Sequence, residues 1–340
     1  MKLTVRLSAF ALSAMLVLSA CGSDGDGETP DGAGTEGAGE SLRIAAIFSG
    51  PTTDADYNAL GLLALEAAEQ DGHETTFSEA VPVPDVERVL QEYVSEDYDV
   101  IWTHGSQFYD ATAAAAEANP EVVFIGEFDG EQADAPENVW IVDRNFHTAF
   151  YPIGALAAAL SESGEVGYVG GLSLPFSYSE VHAMEQAISD AGTETTINPV
   201  WTGDFNDPAK AQQITSQLVS QGADVIVGSL NLGIVGAFQA VEGETPGEVW
   251  LTTKYTDKSQ FGEEHYAGSV IYDFAGPLEA IIADIGEGTT GGYYPLGFDT
   301  GVEIQVADTV DADVRAQVEK VVAQMESGEV TIERNVEPIE

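Results

Sequence analysis

The stretch Asn138–Leu172, NVWIVDRNFHTAFYPIGALAAALSESGEVGYVGGL, constrains this chain more than any other, because it closes one α/β unit and opens the next. Val139–Val142 reads as a short strand. From Phe146 to Leu160 apolar residues recur at helical spacing, with Pro152 close enough to the first turn to be tolerated. Small Gly154, Ala155, Ala157, Ala158 and Ala159 allow close packing along the same run. Ser163-Gly164 stops the helix, and Val166–Val169 starts a strand that runs into Gly170-Gly171. The expectation is a hinge helix between two lobes, with the functional cleft on either side of it.

The flanking rhythm agrees with two lobes. Before the hinge, strands are expected at Leu42–Phe48, Thr75–Phe77, Asp99–Thr103 and Val122–Ile125, and helices at Asp54–Gln70, Pro84–Ser95 and Tyr109–Ala118. In the first of these helices Leu60, Leu63, Ala64 and Ala67 share one face. After the hinge, Ser177–Ala191 is helical and Thr195–Val200 is a strand. Asp207-Pro208 then supplies an N-cap and first position for a helix over Pro208–Gln221. Alternating strands and helices with Gly-rich strand ends argue for parallel, doubly wound sheets. Tyr98-Asp99-Val100-Ile101 and Ala223-Asp224-Val225-Ile226 enter equivalent strands in the two halves. Similar lobes would each open a loop at the carboxyl end of that strand and face each other across a cleft. From Ala267 the chain reads strand Val270–Tyr272, helix Leu278–Ile285, strands Tyr293–Gly297 and Val302–Val306, and helix Val310–Met325. Several returns between lobes would give hinge closure.

The charge narrows the partners. The chain carries 58 acidic and 11 basic residues in 340, a net −47, which excludes nucleic acid, whose phosphates need clustered Lys and Arg. It implies a solvated carboxylate surface suited to salt that screens self-repulsion. At the N-terminus, Lys2 and Arg6 precede a mostly apolar run, Phe10–Leu18, too short for a membrane span. Leu18-Ser19-Ala20-Cys21 resembles a bacterial lipobox, and Cys21, as the only cysteine, can form no internal disulfide. Residues 1–20 are therefore expected to be a signal peptide and 21–41 a tether, lipidated at Cys21, whose Gly22–Glu40 part lacks large apolar residues. The mature protein would sit on the extracytoplasmic face of the cell membrane.

Catalytic signatures are missing: there is no HExxH, CxxC, GxSxG or Walker-type GxxxxGK[ST], and the five histidines are scattered. Binding chemistry is better placed. Tyr57-Asn58 opens the first helix, where a ring and an amide can both point into a cleft, although Tyr57 equally fits a helix-packing role. His104, Gly105, Phe108 and Asp110 follow the third strand, and Asp110 can also cap the next helix. Phe205, set among polar and Gly neighbours between Trp201 and Asp207, offers a second aromatic wall.

In this order, the pair Tyr57-Asn58, the run Gly105–Asp110, the passage Phe146–Gly154, Gly164–Gly171 with Pro175, Gly203–Lys210, Gly222–Ile226 and Ser327–Val330 resemble the basic membrane protein family. These are substrate-binding lipoproteins, purine-nucleoside receptors that feed ABC-type importers. The resemblance implies an α/β fold of two doubly wound parallel-sheet lobes joined by a hinge, like a type I periplasmic binding protein. It implies that Tyr57 and Phe205 sandwich a planar ring while Asn58 and Asp110 give polar contacts. Two departures are visible. Where the family has an acidic residue in the first strand-helix loop, this chain has Phe48-Ser49-Gly50. Where it has a Gly-Val-Asp-x-Asp-Gln-like strand ending, this chain has Thr252-Thr253-Lys254-Tyr255-Thr256-Asp257. Those carboxylates would accept ribose hydroxyls, and a cleft lysine suits a carbonyl-rich or anionic heterocycle better.

The expected ligand-binding set is Tyr57, Asn58, His104, Phe108, Asp110, Phe205, Asp207, Asn231, Lys254 and Asp257, with no catalytic residue, metal or cofactor. Lobe one is expected over 42–146 plus about 269–300, and lobe two over 147–268 plus about 301–340. The expected function is a monomeric solute-binding lipoprotein that captures a small planar molecule and delivers it to an ABC permease. The alternatives are a hydrolase on the same scaffold with Asp54, Asp56 or Asp110 as base, and a lipoprotein that senses rather than transports.

Overall fold

In the computed structural model the described residues are 41–54 and 56–339. The leader, Cys21 and nearly all of the tether lie outside them. The first half alternates strand and helix: β1 (Arg43–Phe48), α1 (Tyr57–Gln70), β2 (Glu74–Ser78), α2 (Val86–Ser95), β3 (Val100–His104), α3 (Tyr109–Ala118), β4 (Val123–Glu127) and β5 (Val139–Asp143). After α4 (Phe146–Leu160) the pattern repeats as β6 (Glu165–Gly170), α5 (Pro175–Ala191), β7 (Thr196–Trp201), α6 (Pro208–Ser220), β8 (Val225–Ser229), α7 (Ile234–Val241), β9 (Trp250–Tyr255) and β10 (Tyr266–Tyr272). The chain ends with α8 (Ala275–Gly286), β11 (Gly292–Pro295), β12 (Val302–Val306) and α9 (Ala312–Glu326).

The strands form two sheets, ordered β11-β5-β4-β3-β1-β2 and β12-β10-β9-β8-β6-β7. The second sheet repeats the first strand for strand, each taking its β11 or β12 edge from late in the chain. Pairing is parallel throughout except between β10 and β12. Central strands β1, β3, β4, β5 and β8 are buried almost without interruption, as parallel strands covered on both faces must be. The two sheets belong to one compact unit, and one core cluster runs through both, from Ile44 and Trp102 to Val225 and Val270.

The chain passes between the sheets at residues 143–146, 272–275 and 295–302. β10 keeps its pairing with β9 and β12 to the strand end, so this return comes slightly after the expected 269. The helix expected to be a hinge is an inner element of the second lobe. α4 is buried on nearly every side and packs on α5, α9, β8, β10 and β12. A helix apolar all round belongs in a core, and the connection itself is the pair Arg144-Asn145, with Asn145 in the left-handed region at φ 50°. The small residues of α4 act as expected: a Cβ on Gly154 would come 2.5 Å from Met184 Cα of α5. Leu63, expected on the buried face of α1, is instead exposed. Helix α7, which the sequence does not announce, is short and carries Gly236 inside its apolar pattern. Gly236 is there for space, since its Cβ would lie 1.8 Å from the Pro208 carbonyl oxygen of α6.

Candidate functional site

The β1–α1 loop is shaped by Asp54. Its Oδ1 accepts from the backbone N–H groups of Asp56 (2.9 Å) and Ala59 (3.0 Å), and its Oδ2 from Asn58 N (3.1 Å) and Nδ2 (2.7 Å). It therefore occupies the donors left free at the start of α1. Asn58 Oδ1 in turn accepts from Gly50 N at 3.1 Å, so Asn58 is spent on the loop. What the loop delivers to the junction between the lobes is Asp56 and Tyr57, both buried.

Tyr57 stacks on His104 at 3.8 Å between centroids and donates its hydroxyl to Glu127, the last residue of β4. His104 Nε2 lies 2.9 Å from the Tyr57 carbonyl oxygen, and Nδ1 2.6 Å from Glu127 Oε1. The Tyr57 carbonyl can only accept, so Nε2 is the donor in that bond. Burial alone would raise the Glu127 pKa. The charges of His104 and Arg144, with hydrogen bonds from His104 and Tyr57, hold it below the ordinary range. Arg144, one residue past β5, places Nε 3.4 Å from Glu127 and spreads its guanidinium over Tyr57 at 5.1 Å, Phe146 at 4.7 Å and Phe176 at 5.3 Å.

The second lobe meets this group with the ends of β9 and β10. Tyr255, held at φ 75°, accepts from Arg144 Nη1 at 3.2 Å and lies 5.0 Å from the Tyr57 ring. A positive φ on so bulky a residue is strain that the surroundings must enforce, as binding sites often do. The Tyr272 hydroxyl donates to the Arg144 carbonyl at 3.0 Å. Lys254 reaches Glu180 of α5 at 3.4 Å and stands over Phe146, Phe176, Phe205 and Tyr255. Lys258 closes an interlobe ion pair with Asp56 at 2.8 Å. Desolvation raises the Asp56 pKa to about 7 against the attraction of Lys258. These groups come from the carboxyl ends of strands in both sheets, where parallel α/β sheets place their ligand sites. Open grooves of about 480 and 530 Å³ lie elsewhere, along β12 and α9 and beside Asn145, away from the convergence of rings and charges.

Of the expected residues, Tyr57, His104 and Lys254 meet in this cluster. Phe205 joins its edge, stacked on Phe176 at 6.1 Å. Asn231 supports it from behind, donating its backbone N–H to the Phe205 carbonyl at 3.1 Å. The others lie apart. Phe108 is in the core between the first sheet and α2, and Asp110 is exposed in the first turn of α3. Asp207 caps α6 through Lys210 N at 2.9 Å. Asp257 is exposed and accepts from Ser259 N and Gln305 Nε2. Sequence reasoning missed Glu127, Arg144, Phe176, Glu180, Tyr255 and Lys258. A usable signal existed for Arg144 and Lys258, because a chain with so few cations has few to place by accident.

Residues 41–335 match the family of ABC transporter substrate-binding proteins of the PnrA-like type. The chain belongs to this family. It is 26% identical over 316 residues to a putative ABC transporter glucose-binding protein, TsgA13, of Haloferax volcanii, covering 91% of this chain and 78% of that one. It is 21% identical to the ABC transporter nucleoside-binding protein BmpA of Lactococcus lactis, over 97% and 99% of the two chains. In fold it resembles a solved solute-binding protein of an ABC transporter system from Aeropyrum pernix, with a TM-score of 0.75 at 20% identity over 86% and 94% of the chains. As an ABC transporter substrate-binding protein, the chain has the two-lobed architecture of the periplasmic solute-binding proteins. This membership favours solute capture over the hydrolase and sensor readings. Among the described residues no helix is long and apolar enough to cross a membrane.

Proposed function

We propose that this ABC transporter substrate-binding protein captures a small planar heterocycle, a nucleobase, nucleoside or relative, between its lobes and delivers it unchanged to a permease. In this reading it is a monomer held at the extracytoplasmic face by lipid on Cys21. The observation that carries the ligand class is the meeting of aromatic side chains from both sheets at one point. Tyr57 comes from the first lobe, and Phe176, Phe205 and Tyr255 from the second. Rings on both sides of a hinge favour a flat ligand whose faces are covered when the lobes shut. The name of the Lactococcus relative points the same way.

A sugar is the second reading, favoured by the name of the Haloferax relative and by Glu127, Glu180 and Asp56, which could accept hydroxyl groups beside aromatic faces. Mass spectrometry of small molecules released from the purified protein, followed by calorimetric titration, separates the two. A planar heterocycle is expected, and small-angle scattering should show compaction when it is added, because a ligand touching both lobes favours the closed state. Tight binding of glucose alone, with no heterocycle bound, would overturn the proposal.

A further inference from the structure

The cations at the lobe junction are unusual for this chain. It has 11 basic residues against 58 acidic ones, yet Arg144 is 6%, Lys254 1% and Lys258 2% exposed. Lys258 is committed to Asp56 at 2.8 Å. Arg144 and Lys254 are held less closely, each with its carboxylate partner at 3.4 Å. They also share one aromatic platform. Arg144 stands 4.7 Å and Lys254 4.9 Å from the Phe146 centroid, and the corresponding distances to Phe176 are 5.3 and 5.2 Å. Two like charges are thus set over the same pair of rings, out of water.

Such an arrangement carries a repulsion that neither ring relieves and that grows as water is excluded. Burial, opposed by Glu180 and reinforced by the neighbouring Arg144, lowers the Lys254 pKa. Each of the two cations has one carboxylate partner, Glu127 or Glu180, at the long distance of 3.4 Å. Between them lie the Phe146 and Phe176 rings, whose faces hold a cation while leaving N–H groups for a further acceptor. Arg offers a planar fork and Lys a point charge, a pair suited to one anionic oxygen group between them.

We propose that the ligand is an anion, its negatively charged oxygen seated between the Arg144 guanidinium and the Lys254 ammonium. Resting on the planar-ligand reading above, this makes the substrate class an acidic oxo-heterocycle or a heterocyclic carboxylate rather than a neutral nucleoside. Lys254 then acts as a specificity residue, because an anionic oxygen is attracted by both adjacent cations and a neutral ligand is not.

The test is calorimetric titration at pH 8 with uric acid and orotic acid as anionic rings, and hypoxanthine and guanosine as rings expected to be mainly neutral. Gluconate and glucose form the matching pair without a planar ring. The variant Lys254→Met with Glu180→Gln removes the cation without stranding a buried carboxylate, and Lys254→Arg keeps the charge. We expect an anionic ring to bind at least about tenfold more tightly than the mainly neutral rings. The double variant should lose roughly tenfold for that anion and little for hypoxanthine, and Lys254→Arg should retain the preference. Tightest binding by guanosine, hypoxanthine or glucose, or no binding by any anion tested, overturns the inference from the wild-type protein alone, even if the double variant fails to fold. Equal losses for anionic and neutral rings also overturn it. Gluconate binding without any heterocycle would instead sink the planar-ring reading and leave the anion site standing.

Discussion

Removing one side of the buried Asp56–Lys258 pair should be costly, and neutralising both sides should not. Asp56 is 1% exposed, and its pKa stands at about 7 against an ordinary 3.8. A difference of about three units corresponds to roughly 4 kcal/mol by which the folded surroundings disfavour the ionised carboxyl even with Lys258 beside it. The folded carboxyl holds its proton more strongly than the unfolded one, so stability falls as pH rises from about 4 to about 7 and then levels off. Lys258→Met removes the attraction and leaves the carboxylate alone, a loss of roughly 3–5 kcal/mol at pH 8, but much less at pH 5, where Asp56 is neutral in either protein. Asp56→Asn combined with Lys258→Met buries no charge and should match or exceed the wild type at pH 8. Urea unfolding of the three proteins at pH 5 and pH 8 reads these differences. Because the pair joins the two lobes, small-angle scattering should also show the single variant more open. A double variant as unstable as Lys258→Met, or a loss that does not change between the two pH values, would refute the account of desolvation outweighing attraction.

Other outcomes follow from the same geometry. Replacing Tyr57 or Phe205 with Ala should weaken binding of the ligand identified by mass spectrometry by roughly 1–3 kcal/mol, the range for a ring stacked on an aromatic side chain, as read by calorimetry. Gly154→Val must push α4 away from Met184 of α5, where a Cβ already falls 2.5 Å from a backbone atom. It should cost about 1–3 kcal/mol or more, seen as a fall of several degrees in Tm. Cys21→Ser should release the protein into the medium with unchanged ligand affinity, because the lipid supplies only anchoring. A variant found still in the membrane fraction would refute the lipobox reading.

The elements were legible because burial repeats along a chain and leaves a period. Phe146–Leu160 was bounded correctly from its apolar spacing, and so were Tyr109–Ala118 and Val302–Val306. The candidate site was less legible because it has no period. Its members are single residues at the ends of β3, β4, β5, β9 and β10, joined only by sheet register. His104, Glu127 and Arg144 touch because β3, β4 and β5 run side by side in the first sheet. In a chain with 58 carboxylates, nothing local separates Glu127 and Glu180, both fully buried, from the acids on the surface.

Phe108 shows the opposite limit, in which position along the chain is right and direction is wrong. It lies four residues beyond His104, in the loop that was expected to line the cleft, but the turn Ser106–Phe108 swings its ring to the far face of the sheet, against Val86, Val89 and Leu90. A motif fixes which residues leave a strand together; only the backbone path decides which of them face the ligand. The scarce residues escape this ambiguity, because a buried cation must have a partner wherever its backbone leads. Arg144, Lys254 and Lys258 could therefore have been singled out by asking where so acidic a chain would hide its few positive charges, and the candidate site is where they converge.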